Sequence, residues 1–307
     1  MWIWLSWVRV PSLTPFLRRD RPKRAVWIIV KASVPDPPAR SPEQLLNHYE
    51  IEKRIASRLR RASREQRSAI YRTMYDELFR DVPDHPRLTR TATKELTEAW
   101  IRSGMELLHR FIGGSSVVVE FGPGDCAFAE ALCARVGKVI GFDIVDLRDP
   151  AKSSPDNFRL VIYDGIEVDS DENDFADVVF SDQLIEHIHP EDIGLHFSSA
   201  WSMLKEGGCY LLRTPHAHSG PHDISKYFSE VPRGFHLREY TFRELAAILR
   251  EAGYSSMRGY WVGKGMMVRL PIVLFSILET VLGLLPRAAR RKLSIYALPA
   301  VVMAAWK

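Results

Sequence analysis

From Gly113 onward, short apolar runs alternate with helical segments, and this alternation limits the possible folds more than any other feature of the chain. The apolar runs are SSVVVEFGPG, KVIGFDIVD, FRLVIYDG, FADVVFSD and CYLLRTP, and helices such as AFAEALCARV and HFSSAWSMLKE lie between them. Strands that alternate with helices form parallel sheets with right-handed crossovers. The sequence therefore predicts an α/β fold with a doubly wound, mostly parallel sheet. Its functional residues should lie at the carboxyl ends of the strands.

Further segments lie on both sides of this alternating region. Ser41 followed by Pro42 is typical of a helix start, and apolar residues then recur at three- and four-residue spacing to about Leu78. A second helix is predicted over residues 94–111. We therefore expect four parts: a basic tail rich in Trp and Pro (1–40), a helical N-terminal region (41–112), the sheet domain (113–262) and an apolar and basic helical C-terminal segment (263–307).

Charge and cysteine content narrow the class of protein. Charged residues make up 26% of the 307 residues and the formal net charge is +4, which is typical of a globular protein and not of a disordered one. Residues 1–70 are strongly basic, whereas the remainder carries a net negative charge. Cys126, Cys133 and Cys209 include no close pair of the kind that metal sites and disulfide frameworks need. We therefore expect a reducing, cytoplasmic compartment.

Both ends of the chain combine apolar and basic residues. The start, MWIWLSWVRVPSL, has no basic residue before its apolar run, so it makes a poor secretory signal, and it is too short to span a bilayer. The segment MMVRLPIVLFSILETVLGLL is interrupted by Arg269, Pro271 and Glu279, which disfavours a transmembrane helix. It is expected to pack on the sheet, to cover a binding pocket, or to lie on a membrane surface beside the basic residues at 287 and 290–292. Peripheral contact of either end with the inner face of a membrane stays open.

The turn after the first strand carries the strongest chemical signal. Glu120 lies at the end of a buried strand, and the Gly122–Gly124 turn precedes a helix, where backbone N–H groups can approach a ligand carboxylate. Together with Ala127, this turn also satisfies the G-x-G-x-x-G/A fingerprint of dinucleotide-binding proteins. Asp143 lies about 20 residues on, where such proteins need an acid for ribose hydroxyls. A nicotinamide-dependent oxidoreductase is therefore one interpretation of this turn.

Four further motifs point to a different cofactor. After VVVEFGPGDCAF the chain reads IGFDIVD, VIYDG, FADVVFSDQLIEHI and LKEGGCYLLRTP, in that order. In these motifs it resembles the class I S-adenosylmethionine-dependent methyltransferases, specifically the branch that acts on small molecules. The resemblance covers roughly residues 113–256. It extends to HLREYTFRELAAILREAGY, which is similar to that family's penultimate helix before a final antiparallel hairpin. The resemblance therefore implies a Rossmann-like sheet with an antiparallel last strand.

The resemblance implies cofactor-binding roles for residues after the first two strands. Glu120 and the turn of Gly122, Pro123 and Gly124 would hold the aminocarboxypropyl end of S-adenosylmethionine. Asp143 would accept both ribose hydroxyls, which suits a carboxylate because it only accepts hydrogen bonds.

The resemblance also implies roles for residues further along the chain. Ile144 would pack on the adenine ring, and Asp164 with Gly165 would meet the adenine amino group. Ser181 and Gln183, just past the fourth strand, would lie near the methionine portion of the cofactor.

Candidate catalytic residues follow the fourth and fifth strands. His187 is the first candidate for a general base, because histidine titrates near neutral pH, whereas Glu186 is interpreted as surface charge. The loop TPHAHSGPHD supplies His222 and Asp223 as candidates for substrate positioning or base catalysis. Its spacing matches no standard set of metal ligands, so no metal site is expected. Cys126, which replaces the family's third glycine, is interpreted as a small buried residue and not as a nucleophile.

These observations favour a methyltransferase that modifies oxygen of a small-molecule or glycan-like acceptor, with transfer to nitrogen or carbon as less favoured outcomes. The chain has no N/D-P-P-Y signature and no Pro-Cys nucleophile, so a nucleic acid acceptor is not expected. Two alternatives stay open. One is the oxidoreductase on the same glycine turn, and the other is a non-catalytic module that keeps the fold and docks on a membrane through its ends.

Overall fold

The structure is a computed structural model that describes residues 40–86, 94–168, 173–263 and 266–307. The predicted basic tail lies outside the described residues except for Arg40. The helices are α1 (Pro42–Arg61), α2 (Arg64–Asp81), α3 (Lys94–Leu108), α4 (Ala127–Leu132), α5 (Ile193–Met203), α6 (Phe242–Glu251), α7 (Ile272–Gly283) and α8 (Arg287–Ala297). The strands are β1 (Val117–Phe121), β2 (Lys138–Asp143), β3 (Phe158–Ile162), β4 (Ala176–Asp182), β5 (Leu204–Pro215), β6 (Ser256–Gly263), β7 (Met266–Leu270) and β8 (Ala300–Trp306).

The eight strands form one sheet in the order β3-β2-β1-β4-β5-β8-β6-β7. The first five pair in parallel, and the pairs β5–β8, β8–β6 and β6–β7 are antiparallel. The predicted doubly wound, mostly parallel Rossmann-like sheet is thus confirmed. Because β1 and β4 are neighbours reached by crossovers in opposite directions, a crevice forms at the carboxyl ends of these two strands.

The C-terminal segment contributes a strand that the sequence did not predict. Residues 263–307 were expected to be a separate helical part, yet β8 lies between β5 and β6, inside the sheet. Val301 and Met303 pack into one hydrophobic cluster and Val302 and Ala304 into the other, on the opposite face of the sheet. A strand buried on both faces is apolar throughout and lacks the alternation that identifies a half-buried strand. The expected boundary at residue 262 therefore divides one sheet.

The N-terminal region is helical as expected but has a break. The helix predicted from Ser41 to Leu78 is two helices, because Ser63 forms a capping box with Gln66 and starts α2. Tyr71 of α2 accepts a hydrogen bond from the backbone N–H of His189. Hydrophobic residues of α1 and α2 form a cluster with Ile166, Phe235 and Leu237. These two helices therefore cover the carboxyl edge of the sheet, where a site is expected.

The apolar segment that follows β6 is split between a strand and a short helix. Residues 266–270 form β7 and residues 272–283 form α7. Across the described ranges, every helix is too short or too polar to cross a bilayer. Glu279 of α7 is buried because its carboxylate accepts the backbone N–H groups of Phe242 and Arg243, at the start of α6, and bonds to His216. Its charge thus stabilises the N-terminus of α6.

Candidate cofactor and acceptor site

A glycine turn after β1 forms the first part of the site. Gly122 and Gly124 have positive φ angles of 71° and 59°, which glycine adopts without strain. A Cβ added to Gly124 would meet nothing within 4 Å, so there is open space beside its backbone. Cys126 also has a positive φ, 61°, where the related sequences carry glycine. Its buried thiol has a pKa raised to about 12, mainly by burial, which fits a structural residue and not a nucleophile.

Asp143 at the end of β2 lies directly against this turn. One carboxylate oxygen accepts the N–H of Gly124 at 2.9 Å and the other accepts the N–H of Ile144 at 2.7 Å. The expected proximity of the glycine turn and the ribose-binding acid is therefore present. We call Glu120, the Gly122–Gly124 turn and Asp143 the cradle.

Negative charge dominates the floor of the cradle. Glu120 is buried, and one of its carboxylate oxygens has no hydrogen-bond partner. Burial, together with the charges of Asp182, Asp143 and Asp125, raises the pKa of Glu120 well above 4.5. Among these acids, Asp182 is paired with Arg213. A buried, incompletely paired carboxylate is stabilised by a ligand that brings a cation. The ammonium and sulfonium groups of S-adenosylmethionine fit this requirement, whereas a pyrophosphate would be repelled.

The surface next to the cradle, around Gly165, is partly apolar. A Cβ added to Gly165 would lie 2.9 Å from Cγ2 of Ile144 and 3.2 Å from Cδ2 of Tyr71, so the turn after β3, the end of β2 and helix α2 meet here. Asp164 accepts the N–H groups of Ile166 and Glu167 and so fixes the turn. The structure thus brings Ile144 and Gly165 together. Their contact with an adenine ring stays a prediction, and Asp164 has a structural role besides it.

The residues predicted near the methionine portion differ in where their side chains point. The hydroxyl of Ser181 accepts a hydrogen bond from Tyr210 at 2.9 Å, and Tyr210 lies 2.7 Å from Nε2 of His196. All three belong to a buried chain of polar side chains that ends at His196 on α5, so Ser181 has a structural partner, and its contact with the cofactor stays a prediction. Gln183 has a positive φ of 59°, and its side-chain nitrogen is buried without a partner. Gln183 therefore fits a ligand-binding role better than Ser181.

A cluster of one glutamate and two histidines lies beyond β4. Leu184 lies 3.0 Å from the position that a Cβ of Gly122 would take, so the chain that leads into Glu186 and His187 starts beside the cradle. Glu186, His187 and His236 each offer a ligand atom, and these atoms lie within 4.8 Å of one another. Nδ1 of His187 lies 3.0 Å from the carbonyl oxygen of Phe235. We call these three residues the Glu–His cluster.

Glu186 corrects the sequence interpretation. It was expected to be surface charge, yet it is 1% exposed and bonded to the hydroxyl of Thr214 on β5. Residues 185–187 form a 3-10 turn instead of the expected α-helix, and this turn directs Glu186 inward beside β5. Burial raises its pKa to about 7, although the nearby His236 and hydrogen bonds oppose the rise. A carboxyl group with such a pKa is suited to exchange protons near neutral pH.

His236 and Glu239 form a second pair of titratable groups beside Glu186. Nδ1 of His236 lies 2.8 Å from a carboxylate oxygen of Glu239. Although burial lowers it, the pKa of His236 is raised to about 9 by this bond and by the charges of Glu186, Glu239 and Asp223. The signal that could have found this pair is the i, i+3 spacing of His and Glu in FHLREY, but nothing in the sequence links it to residue 186.

His222 and Asp223 have structural partners that the sequence did not reveal. The two oxygens of Asp223 accept the N–H groups of Ser225 and Gly234 at 3.0 Å each, which closes the loop between them. Nε2 of His222 lies 2.9 Å from the hydroxyl of Ser219. These contacts hold the loop that carries His236, and a role of His222 and Asp223 in substrate positioning or base catalysis stays a prediction.

The chain matches a protein family over this region. A family profile described as a methyltransferase domain matches residues 76–257, more than half of the chain. The chain therefore belongs to this family of S-adenosylmethionine-dependent methyltransferases, and S-adenosylmethionine is its cofactor. No curated protein matches the sequence significantly.

Solved structures agree on the fold. The Burkholderia thailandensis 1,6-didemethyltoxoflavin-N1-methyltransferase, solved with its substrate and S-adenosylhomocysteine, is 19% identical, with a TM-score of 0.50 over 80% of this chain and 91% of that chain. The Haemonchus contortus phosphoethanolamine N-methyltransferase 2, solved with phosphomonomethylethanolamine and S-adenosylhomocysteine, is also 19% identical, with a TM-score of 0.48 over 72% of this chain. The match spans 58% of that longer chain.

Proposed function

We propose that this protein transfers the methyl group of S-adenosylmethionine to a hydroxyl oxygen of a small-molecule or glycan-like acceptor. The acceptor would lie between the cradle and the Glu–His cluster. The observation that carries this proposal is a buried carboxylate and two histidines gathered beside the cradle, where no ion pair with Lys or Arg, within the described ranges, neutralises Glu186.

The reaction requires positioning and the removal of a proton. S-adenosylmethionine supplies an activated methyl group, and in-line attack on it mainly requires the acceptor atom to be held at near-attack distance. A hydroxyl also has to lose its proton, whereas a neutral amine attacks with its own lone pair. The Glu–His cluster provides proton-accepting groups, because the pKa of Glu186 is about 7 and His187 is the expected general base. This favours oxygen over nitrogen as the methylated atom.

The charge of the cradle argues against the oxidoreductase. A dinucleotide would place a pyrophosphate at the glycine turn, next to the buried and incompletely paired carboxyl group of Glu120. A second anionic group beside a buried carboxylate is costly. The cationic ends of S-adenosylmethionine remove this conflict.

The enclosure of the site supports an acceptor of limited size. Helix α1 reaches the acceptor side through Glu52, which accepts the N–H of Phe235. Helix α2 reaches the same side through Tyr71, which accepts the N–H of His189. These two helices limit the room for an acceptor beside the Glu–His cluster.

The test is to incubate the protein with methyl-labelled S-adenosylmethionine and fractionated cell extract and to identify the labelled product by mass spectrometry. We expect the wild type to form a methyl ether. The His187→Ala variant, incubated for the same time, should form none. A product methylated on nitrogen would contradict the assignment to oxygen. No labelled product in any fraction, with cofactor binding intact, would favour the non-catalytic module.

A further inference from the structure

We propose that Glu186, His187 and His236 together bind one divalent metal ion, and that this ion holds the acceptor hydroxyl. Binding of the ion to these three side chains does not depend on the reaction. The role of the ion in methyl transfer rests on the proposed function. One carboxylate and two imidazoles form a ligand set typical of divalent transition metals.

The geometry of the cluster is that of a metal site. The three ligand atoms lie within 4.8 Å of one another, although residues 186 and 236 are far apart in the sequence. Two imidazoles and a carboxylate leave coordination positions that a substrate can occupy. The cluster stands at the carboxyl edge of the sheet, next to the cradle.

Both histidines are held in the way that metal-binding histidines usually are. Such histidines bond one ring nitrogen to a carboxylate or a backbone carbonyl, and the other nitrogen binds the metal. Nδ1 of His187 lies 3.0 Å from the carbonyl oxygen of Phe235, and Nδ1 of His236 lies 2.8 Å from the carboxylate of Glu239. In each ring Nε2 is then the nitrogen directed to a metal.

The charges around the cluster also favour a cation. Glu186 and Glu239 are both buried; Glu239 is paired with His236, and in the described part of the chain neither glutamate forms an ion pair with Lys or Arg. Asp223 is close enough to act on His236 electrostatically. Buried carboxylates need a compensating positive charge, which a divalent ion supplies.

The ion gives the acceptor oxygen a route to ionisation. A metal-bound hydroxyl loses its proton to solvent more readily than a free one. The oxygen then forms a bond to the methyl carbon while the carbon–sulfur bond breaks, and the bonding electrons stay on sulfur. The products are the methyl ether, S-adenosylhomocysteine and one proton. His187 would serve as a metal ligand in this scheme and not as the base.

The test uses the full chain after treatment with a chelator. Co²⁺ is titrated while visible absorption is recorded, because histidine ligands give d–d bands, and Mn²⁺ is titrated by calorimetry. We expect one ion per chain, with binding lost in Glu186→Gln and in His236→Ala. The control His109→Ala removes an exposed histidine and should bind as the wild type does.

A positioning variant makes the test more specific. Glu239→Gln leaves all three ligands in place but weakens the bond that orients His236, so metal affinity should fall by about 10- to 100-fold. S-adenosylhomocysteine binding, measured on every variant, reports whether each one is folded.

Two outcomes would overturn the metal site. One is a wild type that binds S-adenosylhomocysteine but neither Co²⁺ nor Mn²⁺, which would leave the methyltransferase proposal standing. The other is metal binding that survives in His236→Ala and is lost in His85→Ala, which would place the ion at the second buried group of His48, Glu52 and His85.

A separate observation concerns the surface of α7 and α8, for which we infer docking on an anionic lipid bilayer. The apolar residues of this surface are 48–82% exposed. They are Val273, Leu274, Ile277, Val281, Leu284, Leu293 and Tyr296. On α7 they recur at helical spacing opposite the buried Phe275 and Leu282, so they form one face that the other described residues leave exposed.

Charge identifies the partner. Helix α8 has no acidic residue and carries Arg291 and Lys292 besides Arg287, which pairs with Glu230, and Arg290, whose Nε is buried. An exposed apolar face beside a basic helix matches the acyl region and the anionic headgroups of one membrane surface.

The test is sedimentation of the full chain with vesicles of phosphatidylcholine alone or with 30% phosphatidylglycerol. We expect binding to the anionic vesicles only, lost in Ile277→Glu and kept in the control Leu46→Glu, which changes an exposed leucine on α1. Binding that survives Ile277→Glu and is lost when residues 1–39 are deleted would contradict the inference.

Discussion

The two halves of the site are built in different ways. The cradle comes from two consecutive strands, and its acid and glycines lie within residues 120–143. The Glu–His cluster joins the turn after β4 to the loop between β5 and α6, which is itself held by Asp223 and Glu239. In our proposal the first half binds the cofactor, which is common to a large family, and the second half faces the acceptor. The comparison indicates that the acceptor chemistry of this chain depends on long-range contacts.

The largest effect on turnover is expected when Glu186, in the second half of the site, is substituted. Glu186→Gln keeps the size of the side chain but removes the carboxylate, so turnover should fall by about 10²- to 10⁴-fold. Cofactor affinity should stay within about twofold, because the cradle is untouched. The measurements are methyl transfer and calorimetric cofactor binding. Wild-type turnover in this variant would show that the cluster takes no part in the reaction.

A smaller effect is expected from Asp143→Ala in the other half. Loss of charge-assisted hydrogen bonds to the ribose should weaken S-adenosylmethionine binding by about 1–3 kcal/mol. Asp146→Ala is a matched control, because Asp146 is exposed and bonds to Arg148. Calorimetry of both variants is the measurement. Equal affinities for Asp143→Ala and the control would remove the ribose assignment.

The charge of the cradle predicts a pH dependence. The pKa of Glu120 is raised by burial and by neighbouring acids. A raised pKa favours the protonated form, so the stability that Glu120 contributes is present below pH about 4.5 and is lost as the pH rises through its folded pKa. A cationic ligand favours the ionised form, so cofactor binding should release a proton and strengthen by up to about tenfold per pH unit in that window.

Titrations in two buffers of different ionisation enthalpy measure this proton release. Glu120→Gln should abolish it, since the amide does not titrate. Proton release that persists in Glu120→Gln would assign the effect to another group.

The last prediction concerns Ser181, which lies next to the cradle, and tests whether this residue belongs to the cofactor site. Ser181→Ala removes the acceptor of the buried Tyr210 hydroxyl, so the free energy of unfolding should fall by about 1–3 kcal/mol. Cofactor affinity should not change, because the side chain is part of the chain that leads to His196. Chemical denaturation and calorimetry measure the two quantities. A clear loss of affinity with unchanged stability would return Ser181 to the cofactor site.

The sequence predicted the cradle better than it predicted the Glu–His cluster. The proximity of Asp143 to the glycine turn was predictable because it depends on local spacing at the ends of predicted strands. Glu186 was misjudged because its burial depends on a 3-10 turn and on Thr214, which lies 28 residues away in the sequence. Strand β8 was missed because small apolar residues buried on both faces show no period of two. Local patterns thus revealed the cofactor, and contacts between distant segments had to be seen in three dimensions.

The most direct measurement of the central claim is a calorimetric titration of the wild-type chain with S-adenosylmethionine and, separately, with NADH. If the acidic cradle binds a sulfonium nucleoside, S-adenosylmethionine should bind with one molecule per chain and NADH should give no heat of binding. Binding of NADH without binding of S-adenosylmethionine would contradict it.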